Sequence, residues 1–295
     1  MNSATGPSAV TEDWLALVIG NTRLHWGAFE GDRLISAWHA PHLERDLALR
    51  IQQSQFNEDG WQRVPGLVRS ESASEPLPQR SVPLLPRSLW IASVVPEQTA
   101  IWANQRASDR NEGIPTFVVS RSQIPLQNVY PTLGIDRAIN LLGAGDRYGW
   151  PALVIDAGTA LTFTAGNDGT VLGGAILAGM RLQAQALARR TADLPLEDDW
   201  LSDRQRSLPN RWASTTSGAI ASGLAYGTLS TIQDYLADWR QQFPAGRAIL
   251  TGGDAPLLHT LLQQKTPEIA SGVEVDSYLM FRGMQRYRSG AMLLL

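Results

Sequence analysis

The chain has no cysteine in 295 residues. This excludes disulfides, thiolate nucleophiles and thiolate-ligated metals together, and it fits a reducing compartment. Long apolar runs are also missing. The longest are strand-sized, short of the roughly 20 residues that cross a bilayer, so no membrane partner is expected. Basic charge is in slight deficit, with 25 Lys and Arg against 28 Asp and Glu, which leaves no global footprint for nucleic acid. There are four histidines. Only His39 and His42 are close enough to act together, and their Trp38-His39-Ala40-Pro41-His42 segment reads as surface loop. Three motifs are absent: the phosphate-binding Gly-x-x-x-x-Gly-Lys-Ser/Thr, the dinucleotide Gly-x-Gly-x-x-Gly and the hydrolase Gly-x-Ser-x-Gly.

A hydrophobic content of 43% with 18% charged residues describes a globular chain, long enough for two domains that each bury a core. Met1 to Asp13 is polar and lacks the basic start and apolar centre of a signal peptide. We expect a frayed tail and a cytoplasmic protein.

The pivotal stretch is Asp156-Ala157-Gly158-Thr159-Ala160-Leu161-Thr162, after the apolar run Ala152 to Ile155. It reads as strand, Gly turn, strand, and such a turn offers backbone N–H groups, hydroxyls and a carboxylate at one sheet edge. An offset of 138 sets Gly20 on Gly158 and aligns Leu15 to Gly31 with Leu153 to Gly169 without a gap. Chance recurrence of a common hairpin form is one explanation. The other is two related halves, each opening on a hairpin.

In the first half, Trp14–Ile19, Leu24–Phe29 and Arg33–Trp38 read as an antiparallel meander, Leu43–Gln55 as a helix and Leu89–Val95 as a strand. Pro96–Ala107 reads as a helix and Thr116–Ser120 as a strand. Residues 57–88, rich in Pro and Ser, read as a long surface connection. Tyr130 to Arg137 then leads into a helix. Asp136 in its first turn suits the helix dipole, whereas a cation at Arg137 does not. In the second half, Val171–Ile176 is a strand with two glycines, where something approaches the backbone closely. Glu197, Asp198 and Asp199 read as solvated loop. Ser217–Gln241 is a long helix rich in small residues, Arg247–Leu250 a strand running into Thr251-Gly252-Gly253-Asp254, and Leu279–Leu294 a closing helix. The domains expected are 14–148 and 149–295.

Three Gly turns after strands offer N–H groups and hydroxyls of the kind a triphosphate needs. Phosphoryl transfer to an alcohol also needs a carboxylate to take the hydroxyl proton and a cation to offset charge, and Asp136-Arg137 supplies both.

With these pieces on the page, the sequence resembles the type III pantothenate kinases, in the superfamily of acetate and sugar kinases, heat-shock chaperones and actin. The resemblance is carried by Gly20-Asn21-Thr22, Gly134-Ile135-Asp136-Arg137, the Asp156 to Thr162 run, Gly173-Gly174-Ala175-Ile176 with Gly179, Leu194-Pro195 and Thr251-Gly252-Gly253-Asp254. It extends from Leu15 to about Arg286, apart from the Pro/Ser-rich stretch. It implies an α/β fold of two related actin-like (ribonuclease H-like) domains, each a mixed five-stranded sheet with flanking helices, and an active site in the cleft between them.

It also implies an activity, the ATP-dependent phosphorylation of pantothenate to 4′-phosphopantothenate at the start of coenzyme A synthesis. Asp136 is then the general base, and Gly134, Ile135, Arg137, Thr216 and Tyr130 contact pantothenate. Gly20, Asn21, Thr22, Arg23, Gly158 and Thr159 contact ATP, which comes with Mg²⁺. Asp156 holds a monovalent cation, K⁺ or NH₄⁺, and the chain forms a homodimer.

Two positions depart from the pattern. The family's first Asp falls on Val18, and its carboxylate at the end of the second hairpin falls on Thr164. Val18 keeps open a catalytically impaired nucleotide-binding relative with a regulatory role, and the superfamily leaves a sugar or acetate acceptor as a third possibility.

Overall fold

The computed structural model describes residues 12–62, 64–69, 77, 85–103, 113–190, 194–195 and 207–292. Most of the polar N-terminal tail, parts of the 57–88 stretch and the acidic Glu197, Asp198 and Asp199 lie outside the described residues. Two compact units divide the chain: Met1–Ile124 with Gly134–Asp136 and Tyr287–Leu295, and Pro125–Leu133 with Arg137–Arg286.

The first unit is built on β1 (Asp13–Ile19), β2 (Arg23–Glu30), β3 (Arg33–Pro41), β4 (Val68–Arg69), β5 (Leu89–Ser93) and β6 (Thr116–Val118). Their order is β4-β3-β2-β1-β5-β6. β1 pairs antiparallel with β2 and parallel with β5, and all of its residues from Trp14 to Ile19 are buried. An uninterrupted apolar run is what a strand covered on both faces requires. Helices α1 (Arg45–Gln53), α2 (Glu58–Trp61) and α3 (Pro96–Ala103) connect these strands.

Part of the stretch expected to be a surface connection enters this core. The Asn57 side chain accepts from the backbone N–H of Gly60 and caps α2, and α2 carries Trp61, only 4% exposed, into a tryptophan cluster. Trp61 meets Trp26 and Trp38 edge to face at centroid distances of 5.0 and 5.1 Å, and Trp26 meets Trp102 at 4.9 Å. That geometry sets positive ring edges against negative faces. The same stretch adds β4 as an edge strand of two residues.

In the second unit the elements are α4 (Ile135–Tyr148, from Arg137 onward), β7 (Ala152–Ala157), β8 (Ala160–Asn167), β9 (Thr170–Ala178), α5 (Met180–Arg190), α6 (Thr216–Gln242), β10 (Arg247–Thr251), α7 (Ala255–Lys265), α8 (Pro267–Ala270), β11 (Glu274–Val275) and α9 (Leu279–Met292, as far as Arg286). The sheet runs β11-β10-β7-β8-β9. β7 pairs antiparallel with β8 and parallel with β10, as β1 does with β2 and β5.

The two sheets therefore share one wiring, a meander of three strands with two parallel strands added beside the first, and β4 is an extra on the first sheet. The 138-residue offset carries β1, β2 and β3 onto β7, β8 and β9 to within a residue. Even the register irregularity recurs, between Ala28 and Phe29 and between Ala165 and Gly166. The repeat in the sequence is a repeat of structure.

The core of the second unit packs Leu224, Leu229, Ile232 and Leu236 of α6, and Leu257, Leu258, Leu261 and Leu262 of α7, against Leu153, Ile155 and Phe163 of the sheet. α4 and α9 cross in near backbone contact. A Cβ on Gly143 would lie 2.7 Å from the Gly283 nitrogen and the Leu279 oxygen, and one on Gly283 would overlap the Ile139 carbonyl. Gly283→Ala is expected to destabilise the protein by about 1–3 kcal/mol through overpacking. It should be read as a lowered urea midpoint; an unchanged midpoint would show that the helix pair gives way without cost.

Candidate active site

The polar residues of the second unit gather where β7 and β10 end. Gly158 N–H donates to the Ala160 carbonyl at 3.0 Å and closes the turn, and Gly179 N–H ties the end of β9 to the Thr159 carbonyl at 3.0 Å. Thr159 is left exposed. The Asp156 carboxylate, half-buried, accepts from Asn140 Nδ2 at 2.9 Å, and Thr251 is its register partner on β10. The second Gly turn packs directly on the first. Asp254 N–H donates to the Ala157 carbonyl at 2.9 Å, and Gly252 has φ of +93° in a space where a Cβ would lie 2.5 Å from Asp156 Oδ1. Only glycine meets both demands.

Two buried oxygens beside this carboxylate, Asn140 Oδ1 and Thr251 Oγ1, have no hydrogen-bond partner among the described residues. Together they form a set of hard oxygen donors of the kind that suits an alkali or alkaline-earth cation. Among the described residues no group of three or more His, Cys, Asp or Glu is placed to hold a metal.

The loop before α4 turns through Leu133, whose N–H donates to the Tyr130 carbonyl at 3.0 Å. Gly134, Ile135 and Asp136 follow, all half-buried, with Asp136 in the first turn of α4. Arg137 is 7% exposed, and its guanidinium makes three hydrogen bonds away from its own helix. Nε donates to Thr164 Oγ1 at 2.9 Å, NH2 to the Phe163 carbonyl at 2.9 Å, and NH1 to the Tyr130 hydroxyl at 3.2 Å. A cation at a helix N-terminus thus bonds to the neighbouring sheet and loop. Thr216 is the exposed first residue of α6, and Thr215 caps that helix through Gly218 N–H at 3.1 Å.

The turn at Gly20 belongs to the first unit. Gly20 N–H donates to the Arg23 carbonyl at 3.0 Å, and Asn21, Thr22 and Arg23 are exposed. Val18 is buried in β1, opposite His25. The histidines expected in a surface loop are in the sheet and against this turn. His39 lies on β3 in register with His25, and His42 Nε2 sits 2.8 Å from the Gly20 carbonyl, to which it must donate. The apolar residues around them at alternate positions extend β3 through Pro41, which is why the loop expectation failed.

Within the second unit, then, the structure brings together Tyr130 with Arg137, and Asp156 with the Thr251–Asp254 turn. Sequence reasoning missed Asn140, and it read Thr164 only as a departure from the family pattern and His42 only as a loop residue. Asn140 had a readable signal, since it follows Asp136 by one helical turn. The other two depend on strand register and chain reversal.

Fold and site together define a class: an α/β protein with two sheets of like wiring whose polar residues collect at Gly turns beyond the central strands. The same fold occurs in a Baf family transcriptional activator from Campylobacter jejuni, at 18% identity and a TM-score of 0.55 over 95% of this chain and 99% of that one. It occurs also in the ethanolamine utilization protein EutJ from Carboxydothermus hydrogenoformans, at 11% identity and a TM-score of 0.50 over 93% of this chain and 89% of that one.

The family follows from sequence. Residues 14–238 match the model of the type III pantothenate kinases. The type III pantothenate kinase of a Nostoc species is 40% identical over 98% of this chain and 99% of its own. That of a Synechocystis species is 38% identical over 94% and 91%. The chain belongs to the type III pantothenate kinase family.

His25 provides a pH test of the Gly20 region. Burial, with smaller contributions from His39 and Arg23, lowers its pKa from 6.5 to about 4. Between those values the unfolded chain binds a proton that the folded one does not, so stability falls as pH drops from 6.5 towards 4. Replacing His25 with Asn should flatten that part of a plot of urea midpoint against pH. An unchanged slope would place the titration elsewhere.

Proposed function

We propose that this protein transfers the γ-phosphoryl group of ATP to the primary hydroxyl of pantothenate, giving 4′-phosphopantothenate and ADP. The observation that carries the reading is the intact Asp136-Arg137 pair at the start of α4, in a chain 40% identical to a type III pantothenate kinase. Asp136 accepts the hydroxyl proton as the oxygen attacks the γ-phosphorus, and Gly134, Ile135, Arg137, Tyr130 and Thr216 bind the acceptor. Backbone and side chains at Gly20, Asn21, Thr22, Arg23, Gly158 and Thr159 receive the ATP phosphates, as Gly turns that follow strands can.

Asp156 is the residue that would hold the monovalent cation, with Asn140 Oδ1 and Thr251 Oγ1 beside it supporting an oxygen-ligated ion. A cation held there would supply fixed positive charge. Mg²⁺ would come with ATP, in keeping with its habit of keeping few protein ligands.

The duplicated halves are residues 14–148 and 149–295, a boundary that follows the repeat, whereas the compact units assign Arg137–Tyr148 to the second and Tyr287–Leu295 to the first; the working form is a cytoplasmic homodimer. No helix among the described residues is long and apolar enough to cross a membrane. Trp212 supports the dimer. It is 91% exposed, yet its loop is pinned to α6 by Ser222 Oγ donating to Arg211 O at 2.9 Å and Tyr226 OH donating to Pro209 O at 3.1 Å. A large apolar side chain presented to water from a pinned loop suggests a protein surface that covers it.

The test is ADP release from Mg-ATP with and without pantothenate, in potassium and then sodium buffer. Pantothenate-dependent release in potassium is the expected result; release that ignores pantothenate would overturn the acceptor, and no release would favour an impaired relative. Asp136→Asn should lower turnover by about 10²–10⁴-fold with an unchanged circular dichroism spectrum. Retained turnover would remove Asp136 from the role of base.

A further inference from the structure

Thr164 sits on β8, 1% exposed, with Gly174 of β9 as its cross-strand register partner. The Arg137 guanidinium lies against this pair. Its Nε donates to Thr164 Oγ1, its NH2 donates to the carbonyl of the preceding residue, Phe163, and its NH1 donates to Tyr130 OH, at 2.9, 2.9 and 3.2 Å. Three different nitrogens of a rigid planar group are thus tied to three oxygens, which sets both the position and the tilt of the plane.

Gly174 completes the socket from the other strand. A Cβ there would overlap both the Phe163 carbonyl and Arg137 NH2, so the guanidinium occupies the space that a side chain at 174 would take. This is the close approach that a glycine inside a strand marks.

We infer that Thr164 and Gly174 are positioning residues that determine acceptor specificity, acting through Arg137 by presenting its charge to the carboxylate of the acceptor substrate. The inference rests on the pantothenate reading above and extends it to two residues of the β8–β9 hairpin. A bulky or apolar residue at either position leaves the guanidinium present but misaimed. Binding of an anionic acceptor then weakens, while ATP binding and the chemical step are spared.

The experiment is steady-state kinetics on the full chain, for wild type, T164V, T164S and G174A. Pantothenate is varied at saturating Mg-ATP, and Mg-ATP at saturating pantothenate. A hydrogen bond to a charged group is worth on the order of tenfold or more, so T164V should raise the pantothenate KM by about tenfold. kcat and the ATP KM should stay within about twofold. T164S retains the hydroxyl and should restore the wild-type KM, and G174A should behave like T164V. A pantothenate KM unmoved by T164V, or a common fall in kcat and both affinities that T164S does not rescue, overturns the inference. Urea midpoints check folding, and if T164V does not fold, T164A, which removes the same hydroxyl and adds no bulk, carries the same comparison. Wild-type protein without pantothenate-dependent turnover overturns the parent reading and this inference with it, whereas an active wild type with an unaffected variant overturns the inference alone.

Discussion

A strand hydrogen-bonded on both sides and covered by apolar groups on both faces has no place for polar chemistry except at its end. β1 and β7 are such strands. Trp14 to Ile19 and Ala152 to Ile155 are buried throughout, and each strand has an antiparallel neighbour on one side and a parallel one on the other. Polar groups are therefore displaced to the turns that follow, at Gly20 and at Asp156–Thr159. The parallel neighbour β10 obeys the same rule and ends in Thr251–Asp254, which is why two Gly turns meet in the second unit. Sites at the carboxyl ends of strands in α/β sheets arise from this constraint.

Arg137 shows how a charge can be kept inside such a framework. Its position at the start of α4 is unfavourable with respect to the helix dipole, and burial removes much of its hydration. Three hydrogen bonds from the β8 hairpin and the Tyr130 loop offset both effects. The side chain bridges a helix, a sheet and a loop of the second unit.

Much of the fold was legible because its signals are local. Unbroken apolar runs marked β1 and β7, alternation marked their hairpin partners, and the 138-residue repeat anticipated two sheets of the same wiring. The reading failed where distant residues override local composition. A stretch with prolines at 65, 76, 78, 83 and 86 looks like surface connection, yet Trp61 within it completes an aromatic cluster whose other members come from β2, β3 and α3. His39 and His42 looked like loop residues, yet β3 continues through the first and the Gly20 carbonyl binds the second.

The sequence by itself determined the class of the long elements, the family and the Gly-x-Asp-Arg and Asp-Ala-Gly-Thr motifs, because these depend on residue type and short spacing. Only the tertiary structure decided what surrounds them: Asn140 on the Asp156 carboxylate, Gly252 against it, and Thr164 with Gly174 under the Arg137 guanidinium. Those partners come from strand register and helix crossing. Both are settled by packing of the whole chain, since shifting a strand by one residue would turn every such side chain to the opposite face.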